Sequence, residues 1–153
     1  MSPIDTDNIV SEFIVNTNII LRNNMEDLHI KKVYDEDVSV VDVVPSIATS
    51  VMNIVLERRS LGSVQARFEA DIIGELWYYH EGISVDTRKN EVMCTAWSIC
   101  KVLQENATLN GWLASTRAYV RTCTWALRRN SNLLLASARI ILVARKQLRI
   151  TTV

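Results

Sequence analysis

The sequence predicts an α+β domain, with a mainly antiparallel sheet of two long β-hairpins packed with two helices in the order α-(β)-ββ-α-ββ. Three observations carry that expectation. Apolar residues recur at helical spacing near the N-terminus and again after residue 84. They alternate with polar ones over 64–80 and over two later stretches, and turn chemistry separates the blocks. With 153 residues, 48% of them hydrophobic, the chain is one domain's worth, and no linker divides 1–153.

Each element has its own warrant. Residues 3–22, PIDTDNIVSEFIVNTNIILR, place Ile9, Val10, Phe13, Ile14, Thr17, Ile20 and Leu21 on one helical stripe, and Pro3 and two aspartates suit a first turn. LHIKKVY and VSVVDVV, within 28–44, read as strand fragments split by Asp35-Glu36-Asp37. A hairpin follows over 48–80. Met52, Ile54 and Leu56 share a face of its first strand, and RSLGS makes the loop. In the second strand Ala66, Phe68, Ala70, Ile72, Leu76 and Tyr78 alternate with Gln65, Arg67, Glu69, Asp71 and Glu75. A helix over 85–105 then runs its stripe through Val92, Met93, Ala96, Ile99, Cys100 and Leu103, with Trp97 at the edge. The chain closes in a hairpin over 116–150 turning at Asn130-Ser131-Asn132, whose even positions (Ala118, Val120, Ala126, Ala136, Ala138, Ile140) face inward.

Charge is balanced overall, at seventeen basic and seventeen acidic side chains, but not along the chain. Residues 1–45 hold three Lys/Arg against nine Asp/Glu, 46–110 hold six against eight, and 111–153 hold eight against none. There is no global field to draw in nucleic acid or an anionic membrane, and the asymmetry, the strongest compositional signal, leaves two readings open for the basic third: a nucleic-acid-binding surface, or half of a charge pairing that holds the protein to itself. Three cysteines without a C-x-x-C arrangement suggest a reduced, intracellular chain. The acidic N-terminus lacks a signal-peptide pattern, and the most apolar run, LLLASARIILV, is too short to span a bilayer, so a soluble protein is expected.

Register turns the charge asymmetry into candidate residues. The outward face of 64–80 displays Glu69, Asp71, Glu75, Trp77 and Tyr79, and that of the last hairpin displays Arg117, Tyr119, Arg121, Trp125, Arg139 and Arg145. In one sheet these charges oppose one another across strands or across a subunit boundary, each exposed pair contributing ~0.2–1 kcal/mol. Interleaved aromatics argue for an interface between subunits. The alternative is that the first helix or an N-terminal strand of the same chain covers them.

Catalytic chemistry finds little foothold. His29 and His80 stand without metal-ligand spacing, four glycines leave no phosphate cradle, and Cys123 in a regular strand reads as a structural thiol. No catalytic residue, cofactor or metal is therefore expected. The basic third could bind phosphates, with Tyr119 and Trp125 stacking on bases, which keeps a nucleic-acid-binding domain as a remote alternative.

The helix PIDTDNIVSEFIVNTNIILR, the proline-led strand PSIATSVMNIVLERRSLG, the long strand VQARFEADIIGELWYYH, the helix DTRKNEVMCTAWSICKVLQ and the closing pair TRAYVRTCTWALRR and LLLASARIILVARKQLRI together resemble the tail terminator proteins of long-tailed bacteriophages and the related tail-completion and neck proteins. The resemblance covers nearly the whole chain and is one of pattern and length; 28–44 fit it least. It implies a non-enzymatic virion protein, in the host cytoplasm during assembly and then at the head-tail junction. There six copies would ring the last tail-tube ring and present a surface to the neck or head-completion protein, with DNA as a transient lumen contact and no membrane involved. Arg58 and Arg59 at one hairpin tip, and Arg128 and Arg129 at the other, are candidates for contacts with tube, neck or lumen.

Overall fold

The computed structural model describes residues 6–36, 40–58, 65–80, 85–130 and 133–151. In chain order these form α1 (Thr6–Asn23), α2 (Met25–Leu28), β1 (Lys32–Tyr34), β2 (Ser46–Arg58), β3 (Gln65–Tyr79), α3 (Val85–Glu105), β4 (Tyr119–Asn130) and β5 (Leu133–Thr151). The α+β class holds, with one more helix, the single turn α2, than the sequence suggests. The strands form one five-stranded sheet in the order β1-β2-β3-β5-β4. It is mixed, because β1 pairs with β2 in parallel while every other neighbour is antiparallel.

All the helices lie on one face. α1 lies over β2 and β1, and α3 over β4 and β5. Ile9, Phe13, Ile20 and Leu21 from α1 and Val92, Ala96, Ile99 and Leu103 from α3 are buried against Ile47, Ile72, Leu76, Ile140 and Leu142 of the sheet. Each large aliphatic among them contributes about 1.5–3 kcal/mol of burial. Three short residues set the spacing of these layers. Ala136 and Ala138 let β5 receive α3 closely, and Gly74 in the middle of β3 lies directly under the Phe13 ring.

Two bulges overturn part of the expected alternation. In β2 the pairing jumps from Val51–Gly74 to Asn53–Ile73, and the extra residue is Met52. In β4 it jumps from Val120–Leu142 to Thr122–Ile141, and the extra residue is Arg121. Past a bulge every side chain changes face. Ile54 and Leu56 therefore pair with Ile72 and Ala70 on the helix side, whereas the Met52 sulfur meets Arg139 on the opposite face. Trp125 pairs with Ala138 and packs against the helix-side core, while Ala126 pairs with Ser137 and turns away from it. Both Trp125 and Ala126 thus reverse the faces expected from strict alternation.

The second fragment expected as a strand, VSVVDVV, is a strap in its described part, residues 40–44. It crosses the helix-free face from β1 to the far edge. Val41 gives its N–H to the Asn130 side-chain oxygen at 3.0 Å and accepts from the Asn130 amide at 2.8 Å. The Tyr34 hydroxyl accepts the N–H groups of Asp42 and Val43 at 3.2 Å each and donates to the Asp42 carboxylate at 2.6 Å. That donation, aided by Lys32, holds the Asp42 carboxyl below its usual range. Side chains thus satisfy backbone groups that a ladder would otherwise pair, and Val41 and Val44 close a second small core with Tyr34, Ala48, Tyr79 and Leu135.

Candidate assembly surfaces

The helix-free face brings together most of the residues singled out by register. Asp71 lies directly opposite Arg145, and Trp77 opposite Arg139, in the β3–β5 ladder. Arg145 donates to both Asp71 oxygens at 2.8 and 3.3 Å and lies 3.7 Å from Glu69. Arg139 meets Glu75 at 2.6 Å, and Glu75 also accepts the Trp77 indole N–H at 2.7 Å. Asp71, beside Arg145, pushes that guanidinium's pKa up. The acidic strand and the basic hairpin therefore oppose one another across strands of one chain, the first of the two geometries that the sequence allowed.

The aromatics of this face are engaged too. Trp77 and Tyr79 stack with ring centroids 6.5 Å apart, and the Arg128 guanidinium lies 4.6 Å from the Trp77 ring centroid while donating to the Tyr79 hydroxyl. Tyr79 is buried beneath the strap, and Ile141 and Val143 are buried between flanking strands. The same chain thus covers most of the apolar centre of this face, by its 40–44 strap and its arginines rather than by the first helix.

The basic third divides accordingly. Arg128, Arg139, Arg145 and Lys146 have partners within the chain, Lys146 through the Trp112 ring and carbonyl. Arg117, Arg121 and Arg129 are exposed along β4 or just before it, and Tyr119 is exposed beside them on the helix-free face. Arg58 ends β2 opposite Phe68; its side chain and the whole of Arg59 lie outside the described residues.

Most of the exposed apolar bulk, apart from Val40 of the strap and Leu134 at the start of β5, sits at the two flanks of the sheet. On the β1–β2 side these are Val15 of α1 and Met52, Val55 and Leu56 of β2; on the β4 side they are Trp97 of α3 with Tyr119 and Leu127. Trp97, 70% exposed, stands at the mouth of a groove of about 950 Å³ between α3 and β4 that also takes in Met93, Cys100, Lys101, Arg121 and Cys123. A smaller depression of about 370 Å³ lies at the opposite flank, lined by Val10, Ile14, Val15, Asp35 and Glu36. Neither was singled out from the sequence, although the place of Trp97 on the rim of its helical stripe was the available signal.

Two polar clusters complete the inventory. Cys100 and Cys123 lie side by side at the groove floor, where donation from the Cys100 thiol lowers the Cys123 pKa to about 7, and that bond together with burial holds Cys100 protonated. The Tyr78 hydroxyl bonds His80 Nδ1 at 2.6 Å, and His80 Nε2 lies 3.3 Å from Glu91. Burial raises Tyr78 to about 12. Among the described residues, no group of three or more His, Cys, Asp or Glu could hold a metal ion, and no helix is long and apolar enough to cross a membrane. No protein-family model matches the chain, and no curated protein sequence matches it.

Proposed function

We propose that the chain is a structural virion protein that forms a ring at the head-tail junction of a long-tailed bacteriophage, capping the tail tube and joining it to the neck. The observation that carries this reading is the placement of large exposed apolar side chains, Trp97 and Tyr119 on one flank and Val15, Met52 and Val55 on the other. A sheet with two unlike, sticky sides is suited to head-to-tail association, which closes into a ring when the rotation between copies fits. Support also comes from the order of the long elements, a helix, a hairpin, a helix and a hairpin, which is the pattern that resembles the tail terminators. On this reading the partners are further copies of the chain, the tail tube protein and the neck or head-completion protein, with DNA passing the lumen. Another head-tail joining protein would share this ring logic and differ in the neighbours it touches.

Negative-stain microscopy over a concentration series at low and moderate salt tests the reading. Closed rings with a central opening, six copies around, are the expected result; particles without an opening at every concentration would contradict it. The DNA-binding alternative is separated by salt. Three exposed arginines at β4 would give DNA affinity a log–log salt slope of about −3, whereas a lumen wall gives weak and nearly flat binding.

A further inference from the structure

The two flanks of the molecule differ in shape and charge in a way that fits one to the other. On α3, Trp97 and Lys101 are four residues apart and so lie on the same side of the helix, and both are exposed. Arg121, bulged out of the edge strand β4, lies beside them. This flank presents an indole with two cations. At the other flank the depression floored by Val10, Ile14 and Val15 of α1 is rimmed by Asp35 and Glu36, which follow β1. That flank presents an apolar seat with two carboxylates.

The sheet order separates them. α3 lies over β4 and β5, and α1 over β2 and β1, at opposite ends of the five-strand order. At about 4.8 Å per strand, the edge strands are about 19 Å apart, so the indole of one copy reaches no seat on its own chain. The existing partners of the charges are surface ones. Asp35 pairs with Arg22, and Lys101 lies 4.0 Å from Glu105. Such exposed pairs are worth ~0–1 kcal/mol and exchange readily for interfacial ones.

We infer that Trp97 of one copy seats in the Val10–Ile14–Val15 depression of a second copy, with Lys101 and Arg121 facing Asp35 and Glu36. The occupant is a second copy because the complement of each flank, in charge and in apolar character, is the chain's own other flank. Two different surfaces meet, so the contact is heterologous and leaves an unused indole at one end and an unused seat at the other. This inference rests on the ring reading and specifies the surfaces through which the ring would grow.

The test uses two single variants and their mixture, followed by sedimentation velocity. Trp97→Ala spoils the indole and leaves the seat; Val15→Glu spoils the seat and leaves the indole. Both residues are more than half exposed, so both variants should keep the wild-type circular dichroism. Wild type should assemble beyond a dimer, each variant alone should be monomeric, and an equimolar mixture should form a one-to-one dimer and stop there. As a second route, Lys101→Glu and Glu36→Lys should each weaken assembly at least tenfold, and their combination in one chain should restore most of it. Rings that persist in both single variants would overturn these surfaces while leaving the ring standing. Open chains from wild type that both variants abolish would support the surfaces and refute ring closure. A wild type that stays monomeric, or a mixture that does, would overturn the inference.

Discussion

Replacing Gly74 by alanine tests how the helical layer is seated on the sheet. A Cβ at this position would lie 2.4 and 2.5 Å from the Cζ and Cε1 atoms of Phe13, and 3.3 Å from the Leu142 carbonyl oxygen. Carbon atoms in contact prefer about 3.5–4.0 Å, so the ring must retreat by about 1 Å. It has little room. Phe13 is fully buried, and the Trp112 ring packs edge-on against it at 6.4 Å. Overpacking of this kind costs about 1–3 kcal/mol. For a urea m-value of about 2 kcal/mol/M, a 2 kcal/mol loss lowers the midpoint by about 1 M at unchanged slope. The decisive assay is a double-mutant cycle with Phe13→Ala, which alone should cost about 3–5 kcal/mol. In that background the alanine fills vacated space and should be neutral or stabilising, giving a coupling of at least about 1 kcal/mol. A Gly74→Ala cost below about 0.5 kcal/mol, or an equal cost in both backgrounds, would refute the close approach of α1 to β3.

Three further outcomes follow from buried polar groups. Thr49 is fully buried, and its hydroxyl has no hydrogen-bond partner among the described residues, so the near-isosteric Thr49→Val should stabilise by about 1 kcal/mol in urea melts; a loss would point to a hidden partner. Tyr78 is neutral when folded up to about pH 12 but ionises near pH 10 when unfolded, so it supports stability in full below pH 10 and loses about 2–3 kcal/mol of it between pH 10 and 12. Tyr78→Phe should flatten that part of the stability profile relative to wild type, and profiles that stay parallel would contradict the assignment. In a Cys94→Ser background, which removes the exposed thiol, alkylation of Cys123 by iodoacetamide should rise through a midpoint near pH 7. Cys100→Ala should shift that midpoint upward, and an unmoved midpoint would show that the Cys100 thiol does not acidify Cys123.

The parts of the fold legible in the sequence are those set by uninterrupted period. The stripe of Phe13, Ile20 and Leu21, the stripe of Val92, Ala96 and Ile99, and the alternation of β3 and β5 placed both long helices and put Asp71 and Arg145 on outward faces; that the two lie directly opposite one another in one chain is what the structure adds. What escaped depends on single inserted residues and on distant partners. Met52 and Arg121 each add one residue to a strand without changing its composition; the first separates Met52 from the face of Ile54 and Leu56, and the second puts Trp125 and Ala126 on faces opposite to those expected. The strap at 40–44 carries strand-like valines, yet the Asn130 side chain that clamps it lies 89 residues away in sequence. The aromatics Trp77 and Tyr79 were correctly placed on the face away from the helices, but the strap and Arg128 that cover them come from elsewhere in the chain. The flanks escaped for a related reason. Whether Trp97 at the rim of its stripe stays wet is decided by where α3 settles on the sheet, and no local spacing encodes that.

The measurement that bears most directly on the account is the stoichiometry of the wild-type protein by native mass spectrometry across a concentration series. Two unlike flanks joined head to tail predict a closed species of six copies, about 104 kDa from a 17.4 kDa chain, with few intermediates once the ring closes. A population that ends at a two-fold dimer, or never leaves the monomer, would contradict it.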